Sequence, residues 1–234
     1  MNVLIVGGSG GIGLALVEHY LATNTATVFA TYRTNKPALN HPKLIWYKVN
    51  VTVESDIEEL AKLLPKLNLL INAVGMLHDG EHNPEKSVKE FDSNFFNKNI
   101  VINVTPSLLL ASHFAEHLKS KATSHFVTVS AKIGSIEDNR LGGWVSYRSS
   151  KAALNMAMKT ISIEWRFKQT NTCVLVFHPG TTDTKLSKRF QRNVPEGKLF
   201  TAEYVADCLS SIVRNTSASD TGKFYSYDGS ILPW

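Results

Sequence analysis

The apolar run Val3-Leu4-Ile5-Val6 passes directly into a turn crowded with glycine: Gly7, Gly8, Gly10, Gly11 and Gly13, with Ser9 and Ile12 between them. Leu14, Ala15, Leu16, Val17 and Tyr20 then recur at roughly helical spacing. The pattern is a strand, a tight turn and the start of a helix. Such a turn leaves backbone N–H groups unpaired at the positive end of the helix dipole, and glycines let a pyrophosphate approach them with no Cβ in the way. The spacing is Gly-x3-Gly-x-Gly rather than the more familiar Gly-x-Gly-x2-Gly. A glycine-rich turn alone is weak evidence, but this one follows a buried type of strand and opens an amphipathic helix. It predicts dinucleotide binding by residues Gly7 to Gly13.

The rest of the chain keeps the same rhythm. Strands are predicted at Thr27–Tyr32, Leu44–Val49, Leu67–Asn72, Ser124–Ser130, Thr172–His178 and Lys223–Tyr227. Helices are predicted at Val53–Leu64, over most of Ser87–Lys119 with Pro106 marking a break or a first turn, at Ser146–Gln169 and at Thr201–Arg214. Strand–helix alternation of this kind gives one domain over residues 1–234: an α/β, doubly wound, parallel seven-stranded sheet with helices on both faces, Rossmann-like in architecture. Ligands bind such sheets beyond the carboxyl ends of the strands.

Composition removes several classes of function. The 234 residues are 43% hydrophobic and 19% charged, as an ordinary globular protein is. The net charge of +5 is scattered, which favours anionic ligands such as phosphorylated cofactors but offers no nucleic-acid footprint. Cys173 and Cys208 lie in apolar surroundings and read as thiols of a reducing compartment. The eight histidines show no metal-ligand spacing, and His78 and His178 read as structural residues. No apolar run approaches the ~18–20 residues of a membrane span. The first strand leaves no room for a signal peptide, so a cytoplasmic location is expected.

Around the turn, the residues that follow each strand define a cofactor side. An acid about 20 residues past the glycines usually bonds the ribose of NAD. This chain has none between Glu18 and Glu54; instead Arg33 stands at the tip of the second strand, where a guanidinium suits a 2′-phosphate. The expected cofactor is therefore NADP(H). The fourth strand ends Asn72-Ala73-Val74-Gly75, a stretch able to place backbone against a nucleotide. In the long helix, Tyr147 and Lys151 are four residues apart and share a face. An ammonium near a phenol favours the phenolate and lowers its pKa, which suits proton exchange with an alcohol or carbonyl beside a nicotinamide.

With these residues in hand, the chain resembles the short-chain dehydrogenase/reductase family over nearly its whole length. The matching pieces are Gly7-x3-Gly11-Ile12-Gly13, Asn72-Ala73-Val74-Gly75, Asn103, Tyr147-x3-Lys151 and Pro179-Gly180. The run Gly134-Ser135-Ile136, then Gly142-Gly143-Trp144 and the sequence around Tyr147 are similar to the C-factor and sniffer-type carbonyl reductase branch, as is the ending Tyr227-Asp228-Gly229 to Trp234. The resemblance implies Tyr147 as general acid–base, Lys151 holding the nicotinamide ribose, and Asn103 anchoring a water, with Asn99 as the rival position. It also implies Pro179, Gly180, Thr182 and Thr184 closing over the carboxamide, Asn50 and Val51 beside the adenine, and a homodimer or homotetramer. The implied activity is NADP-dependent interconversion of a carbonyl and an alcohol.

One departure stands out. The family pairs two serines after the fifth strand, and the second polarises the substrate carbonyl; this chain reads Ser130-Ala131. Neighbouring strand residues face opposite ways, so Ser130 takes that role only through a bulge; Ser135 and Ser146 are the other candidates. Loss of one such donor typically costs ~10²–10³ in rate. A cofactor-binding regulatory protein with little turnover is thus the alternative. The substrate cleft is expected between Leu77-His78, residues 139–145 and residues 183–194, with Leu141, Trp144, Leu186 and Phe190 making it apolar.

Overall fold

The computed structural model describes residues 1–168 and 171–234. Seven parallel strands form one sheet in the order β3-β2-β1-β4-β5-β6-β9. They are β1 (Asn2–Val6), β2 (Thr27–Tyr32), β3 (Leu44–Lys48), β4 (Leu69–Asn72), β5 (Ser124–Val129), β6 (Thr172–His178) and β9 (Lys223–Ser226). The chain builds outward from β1 to β3, then returns to the other side of β1 to lay down β4. That reversal opens the crevice at the carboxyl edge where α/β sheets hold ligands.

Central strands are largely apolar because both faces are covered. Val3, Leu4, Ile5 and Val6 are all fully buried. Leu4 and Val6 join Leu70, Phe126, Val174 and Val176 in one core, under α2 (Glu54–Leu63), α4 (Thr105–Leu118) and α5 (Val145–Lys168). Val3 and Ile5 face the opposite core, under α1 (Gly11–Ala22) and α6 (Ala202–Arg214). β2 and β6 match their predicted limits, and the early acids of α2, Glu54 and Asp56, lie in its first turn.

Several predicted boundaries need correction; the break near Pro106 does not. The stretch from Ser87 is not helical at once: a short 3-10 turn over Val88–Glu90 gives way to extended Phe91, and α3 (Ser93–Asn103) starts where the Asp92 carboxylate accepts the Phe95 N–H. A local N-cap thus outcompetes the helical pattern upstream. Val104 then separates α3 from α4, with Pro106 in the first turn of α4, the position where its missing N–H costs nothing. The last strand stops at Ser226, whose carbonyl accepts the Gly229 N–H in a turn. A small second sheet, β7 (Thr181–Thr182) with β8 (Leu199–Phe200), carries no pattern long enough to read from sequence. Gln169, the predicted end of the long helix, lies outside the described residues.

Phe126 sits fully buried at the middle of the sheet and packs against Trp165 of α5, ring centroids 5.9 Å apart. Phe126→Ala should lower unfolding stability by about 3–5 kcal/mol in a urea titration.

Candidate active site

The glycine turn is built by exclusion. A Cβ on Gly13 would stand 2.1 Å from the Gly7 carbonyl oxygen, and one on Gly7, at φ +81°, would strike Val74 at 2.9 Å. The Gly7 N–H bonds the Thr31 hydroxyl (2.9 Å), and Gly10 N–H returns to the Gly7 carbonyl (3.1 Å). Gly10 is the N-cap of α1, and no side chain caps that end. The exposed Ser9 and Gly10 and the half-buried Ile12 therefore surround an uncapped helix start, the backbone cradle an anionic pyrophosphate requires. These residues fit a dinucleotide. Thr184 reaches over the same turn: its Cγ2 lies 2.5 Å from where a Cβ on Gly11 would be.

Asn72 and Asn103 brace the loop after β4. Asn72 donates to the Ser107 hydroxyl (2.9 Å) and accepts the Val74 N–H (3.1 Å), which bends Ala73-Val74-Gly75 around its side chain. Asn103 grips Met76 from both sides, accepting its N–H (2.7 Å) and donating to its carbonyl (2.9 Å), and also donates to Ser150 of α5 (2.9 Å). Its amide is spent on holding the loop to α5. Asn99, the rival position, donates to the Phe95 carbonyl and accepts from Asn103.

Tyr147 and Lys151 share the inner face of α5, both buried, with the Lys151 ammonium 5.8 Å from the Tyr147 ring centroid. The ammonium donates to the Val129 carbonyl (3.2 Å), and a Cβ on Gly75 would meet it at 3.4 Å. The expected lowering of the phenol pKa is not the dominant effect in this arrangement. Burial pushes the Tyr147 phenol above its ordinary value and pulls the Lys151 ammonium down to about 8. Desolvation outweighs mutual attraction because the two charges do not touch.

Other predicted residues divide. Pro179 and Gly180 follow β6; Gly180, at φ +69°, leaves a Cβ no room beside Phe200 (2.7 Å). Thr182 is buried, and its carbonyl accepts the Ser187 hydroxyl (2.5 Å). Arg33 is exposed at the end of β2. Asn50 uses its side-chain oxygen locally, accepting from the Thr52 hydroxyl (2.8 Å), next to buried Val51. Ser130 donates to Asn155 (2.7 Å), away from Tyr147 along α5. Ser135 donates to the Trp234 carbonyl (3.3 Å), and Ser146 donates to the Glu85 carboxylate. His178 accepts the Lys132 N–H (3.2 Å), and burial with the nearby Lys132 charge brings its pKa down to about 4, so it is a neutral structural residue.

An aromatic row closes the site. Trp144 meets Tyr147 (6.4 Å between ring centroids) and Phe190 (5.1 Å), and Phe190 meets His78 (6.0 Å). Leu141, expected in this wall, is instead 91% exposed, because Gly142 and Gly143 at positive φ turn the chain outward before Trp144. Sequence reading missed Glu85. This buried carboxylate accepts the Ser146 N–H and hydroxyl at the start of α5, yet nothing in its polar stretch sets it apart from Glu81 or Glu90.

A parallel sheet with an uncapped glycine turn at its carboxyl edge defines a dinucleotide-binding protein of the Rossmann-like class. The chain belongs to the short chain dehydrogenase family, whose sequence model matches residues 1–195. It is similar to an uncharacterized oxidoreductase of Schizosaccharomyces pombe, at 28% identity covering 98% of this chain and 96% of that one. An NADPH-bound carbonyl reductase from chicken fatty liver superposes with a TM-score of 0.87 at 27% identity, covering 100% of this chain and 94% of that one. The Drosophila melanogaster carbonyl reductase Sniffer shares the fold, with a TM-score of 0.86 at 21% identity over 100% of this chain and 99% of its own.

The buried ammonium makes a pH prediction. Lys151 has its folded pKa pulled down to about 8 from 10.5, so between those values the unfolded chain binds more protons than the folded one. Stability should therefore rise with pH from about 8 upward, until Tyr147, whose pKa is shifted the opposite way, begins to oppose it. Urea titrations from pH 7 to 10 should show that slope in the wild type and a flatter one in Lys151→Met.

Proposed function

We propose that the chain is an NADP(H)-dependent oxidoreductase that interconverts a carbonyl and an alcohol on a small molecule, with Tyr147 as the acid–base. The observation that carries this reading is the burial of Tyr147 and Lys151 on one face of α5, beside the loop that Asn72 and Asn103 brace. The NADPH-bound avian carbonyl reductase supports the choice of cofactor and reaction. When bound, the nicotinamide supplies or accepts hydride.

In this reading the chain's own residues bind, orient and move a proton. The uncapped start of α1 takes the pyrophosphate, Arg33 takes the 2′-phosphate, and Asn50 and Val51 flank the adenine. Ala73, Val74, Gly75, Pro179, Gly180, Thr182 and Thr184 line the nicotinamide end. Tyr147 gives its proton to the carbonyl oxygen. A phenol kept protonated by burial is set for reduction rather than for alcohol oxidation. Lys151 holds the ribose and stabilises the phenolate left behind. Asn103 positions Met76 and Ser150. The protein acts in the cytoplasm, on no nucleic acid or membrane; no helix among the described residues is long and apolar enough to cross one. Exposed Leu108 on α4, with Met156, Ile163 and Phe167 on α5, offers an apolar face for a homodimer or homotetramer.

A second reading has its own observation. Ala131 lacks a hydroxyl, and Ser130, Ser135 and Ser146 have each committed theirs elsewhere. A protein that binds NADPH for regulation and turns over little would show the same features. Incubation with NADPH and a panel of aromatic ketones and aldehydes separates the two: oxidation of NADPH supports the enzyme, and tight binding without oxidation supports the regulator. Tyr147→Phe should cut turnover by ~10²–10⁴ without changing NADPH affinity. Arg33→Ala should weaken NADPH binding about ten- to a hundredfold and leave NADH binding unchanged, as fluorescence titration would show.

A further inference from the structure

We propose that His78 is the hydrogen-bond donor to the substrate carbonyl oxygen, in the role the family gives to the serine replaced by Ala131. This inference rests on the carbonyl–alcohol reading above and extends that site by one residue.

The argument begins with donors already committed. A hydroxyl has one proton to donate. Ser130 gives its proton to Asn155, Ser135 to the Trp234 carbonyl and Ser146 to Glu85. All three acceptors are fixed parts of the fold, and two of the three serines anchor α5 or its start. Freeing the Ser130 or Ser146 proton would leave a buried oxygen acceptor short of its bond, a cost of about 1–3 kcal/mol.

His78 is the opposite case. Both of its ring nitrogens are buried, and neither has a protein partner; among the described residues it is the one side chain with two such atoms. A neutral imidazole carries one N–H donor and one acceptor, and buried polar groups of native proteins are nearly always paired. His117 and His19, by contrast, each use one ring nitrogen in a contact, with the Ala61 carbonyl and with Asp207. The imidazole thus keeps a donor that no protein group uses.

Its location fits. His78 is three residues beyond Gly75, where a Cβ would meet the Lys151 ammonium at 3.4 Å. The loop between them is held by the twofold grip of Asn103 on Met76. On its other side the imidazole meets Phe190 at 6.0 Å, and the row continues through Trp144 to Tyr147. His78 and Tyr147 thus border one aromatic row, through Phe190 and Trp144 respectively. In this proposal the substrate carbonyl is seated between them.

The donor moves no proton. Hydride adds to the carbonyl carbon, the C=O π pair collects on oxygen, and Tyr147 supplies the proton that completes the alcohol. The His78 N–H bond tightens as the oxygen gains charge, so its effect falls mainly on kcat. An aromatic or aryl ketone suits the wall, since its ring stacks on Phe190 and Trp144.

The test uses His78→Phe, which keeps a ring against Phe190 and removes both nitrogens. The expected result is a ~10²–10³-fold loss of kcat/KM toward aryl ketones, carried mainly by kcat, with NADPH affinity unchanged. Adding Ala131→Ser to that variant should restore most of the loss, which no merely structural role for His78 would allow. A readout independent of turnover is the ring 15N spectrum of the protein with NADP+: the His78 resonances should shift when an aryl ketone is added. The inference is overturned if His78→Phe keeps wild-type kcat, if it loses NADPH affinity in step with activity, if Ala131→Ser restores nothing, or if the His78 resonances do not move. It is likewise overturned if Trp144→Phe gives the loss and His78→Phe does not, since the indole N–H then holds the role. Failure of the underlying reading looks different: the wild-type protein binds NADPH but no carbonyl of the panel oxidises it, and the 15N shift alone then decides for or against His78.

Discussion

A cation sealed inside the protein governs this site. The Lys151 ammonium is 2% exposed, donates to the Val129 carbonyl at the end of β5 and faces no carboxylate at ion-pair distance among the described residues. Removing an ammonium from water is costly, and in proteins the group commonly answers by lowering its pKa. The surrounding structure must therefore be rigid enough to keep it in. Gly134 shows how tight that enclosure is: a Cβ there would stand 2.7 Å from the Lys151 backbone. The 3-10 turn over Lys132–Gly134 closes directly on α5 at Lys151.

Around that cation the polar side chains act mainly on backbone. Asn72, Asn103 and Glu85 are all buried, and each holds a main-chain segment whose position the site depends on. Asn72 shapes the bend after β4, Asn103 clamps Met76, and Glu85 takes the Ser146 N–H in the first turn of α5. A carboxylate at a helix start is also favoured by the helix dipole. Tyr147 and Lys151 thus sit on a helix whose start is tied, so their positions are set by the fold and not by loop chance.

The fold was legible because its signals are long and repeated. The apolar strands of β1, β4 and β5 and the period of α2 and α6 each carry enough residues to mark an element. The Gly7–Gly13 turn marks the cofactor edge through sterics alone, since no other residue type fits at Gly13. The partners of each side chain were not legible. Nothing in the order of residues shows that Ser146 gives its proton to a glutamate sixty-one positions earlier, or that Asn103 spends its amide on Met76. Nor does a Tyr-x3-Lys spacing show whether desolvation or attraction sets the acidity; that depends on how far apart the two groups come to rest. The start of α3 was misplaced because one carboxylate, Asp92, decides it locally.

The aromatic wall shows what the missing hydroxyl at Ala131 leaves to the rest of the cleft. Gly142, Gly143 and Trp144 take positive φ in succession, at 63°, 66° and 53°. For the glycines this is free; for Trp144 it costs of order 1–2 kcal/mol. The fold sustains that strain with the Trp144 N–H bonded to the Glu85 carbonyl at 2.5 Å and with the indole against Phe190 and Tyr147. The same residue, Glu85, therefore fixes both the strained turn and the start of α5 through its carbonyl and its carboxylate. A distortion that places one large ring beside the proposed acid is held by the main-chain carbonyl of a buried residue, and such strain persists only where the surroundings over-determine it. The wall is thus a built feature of the fold, and in the proposed reaction it is the surface that would orient an apolar group beside Tyr147.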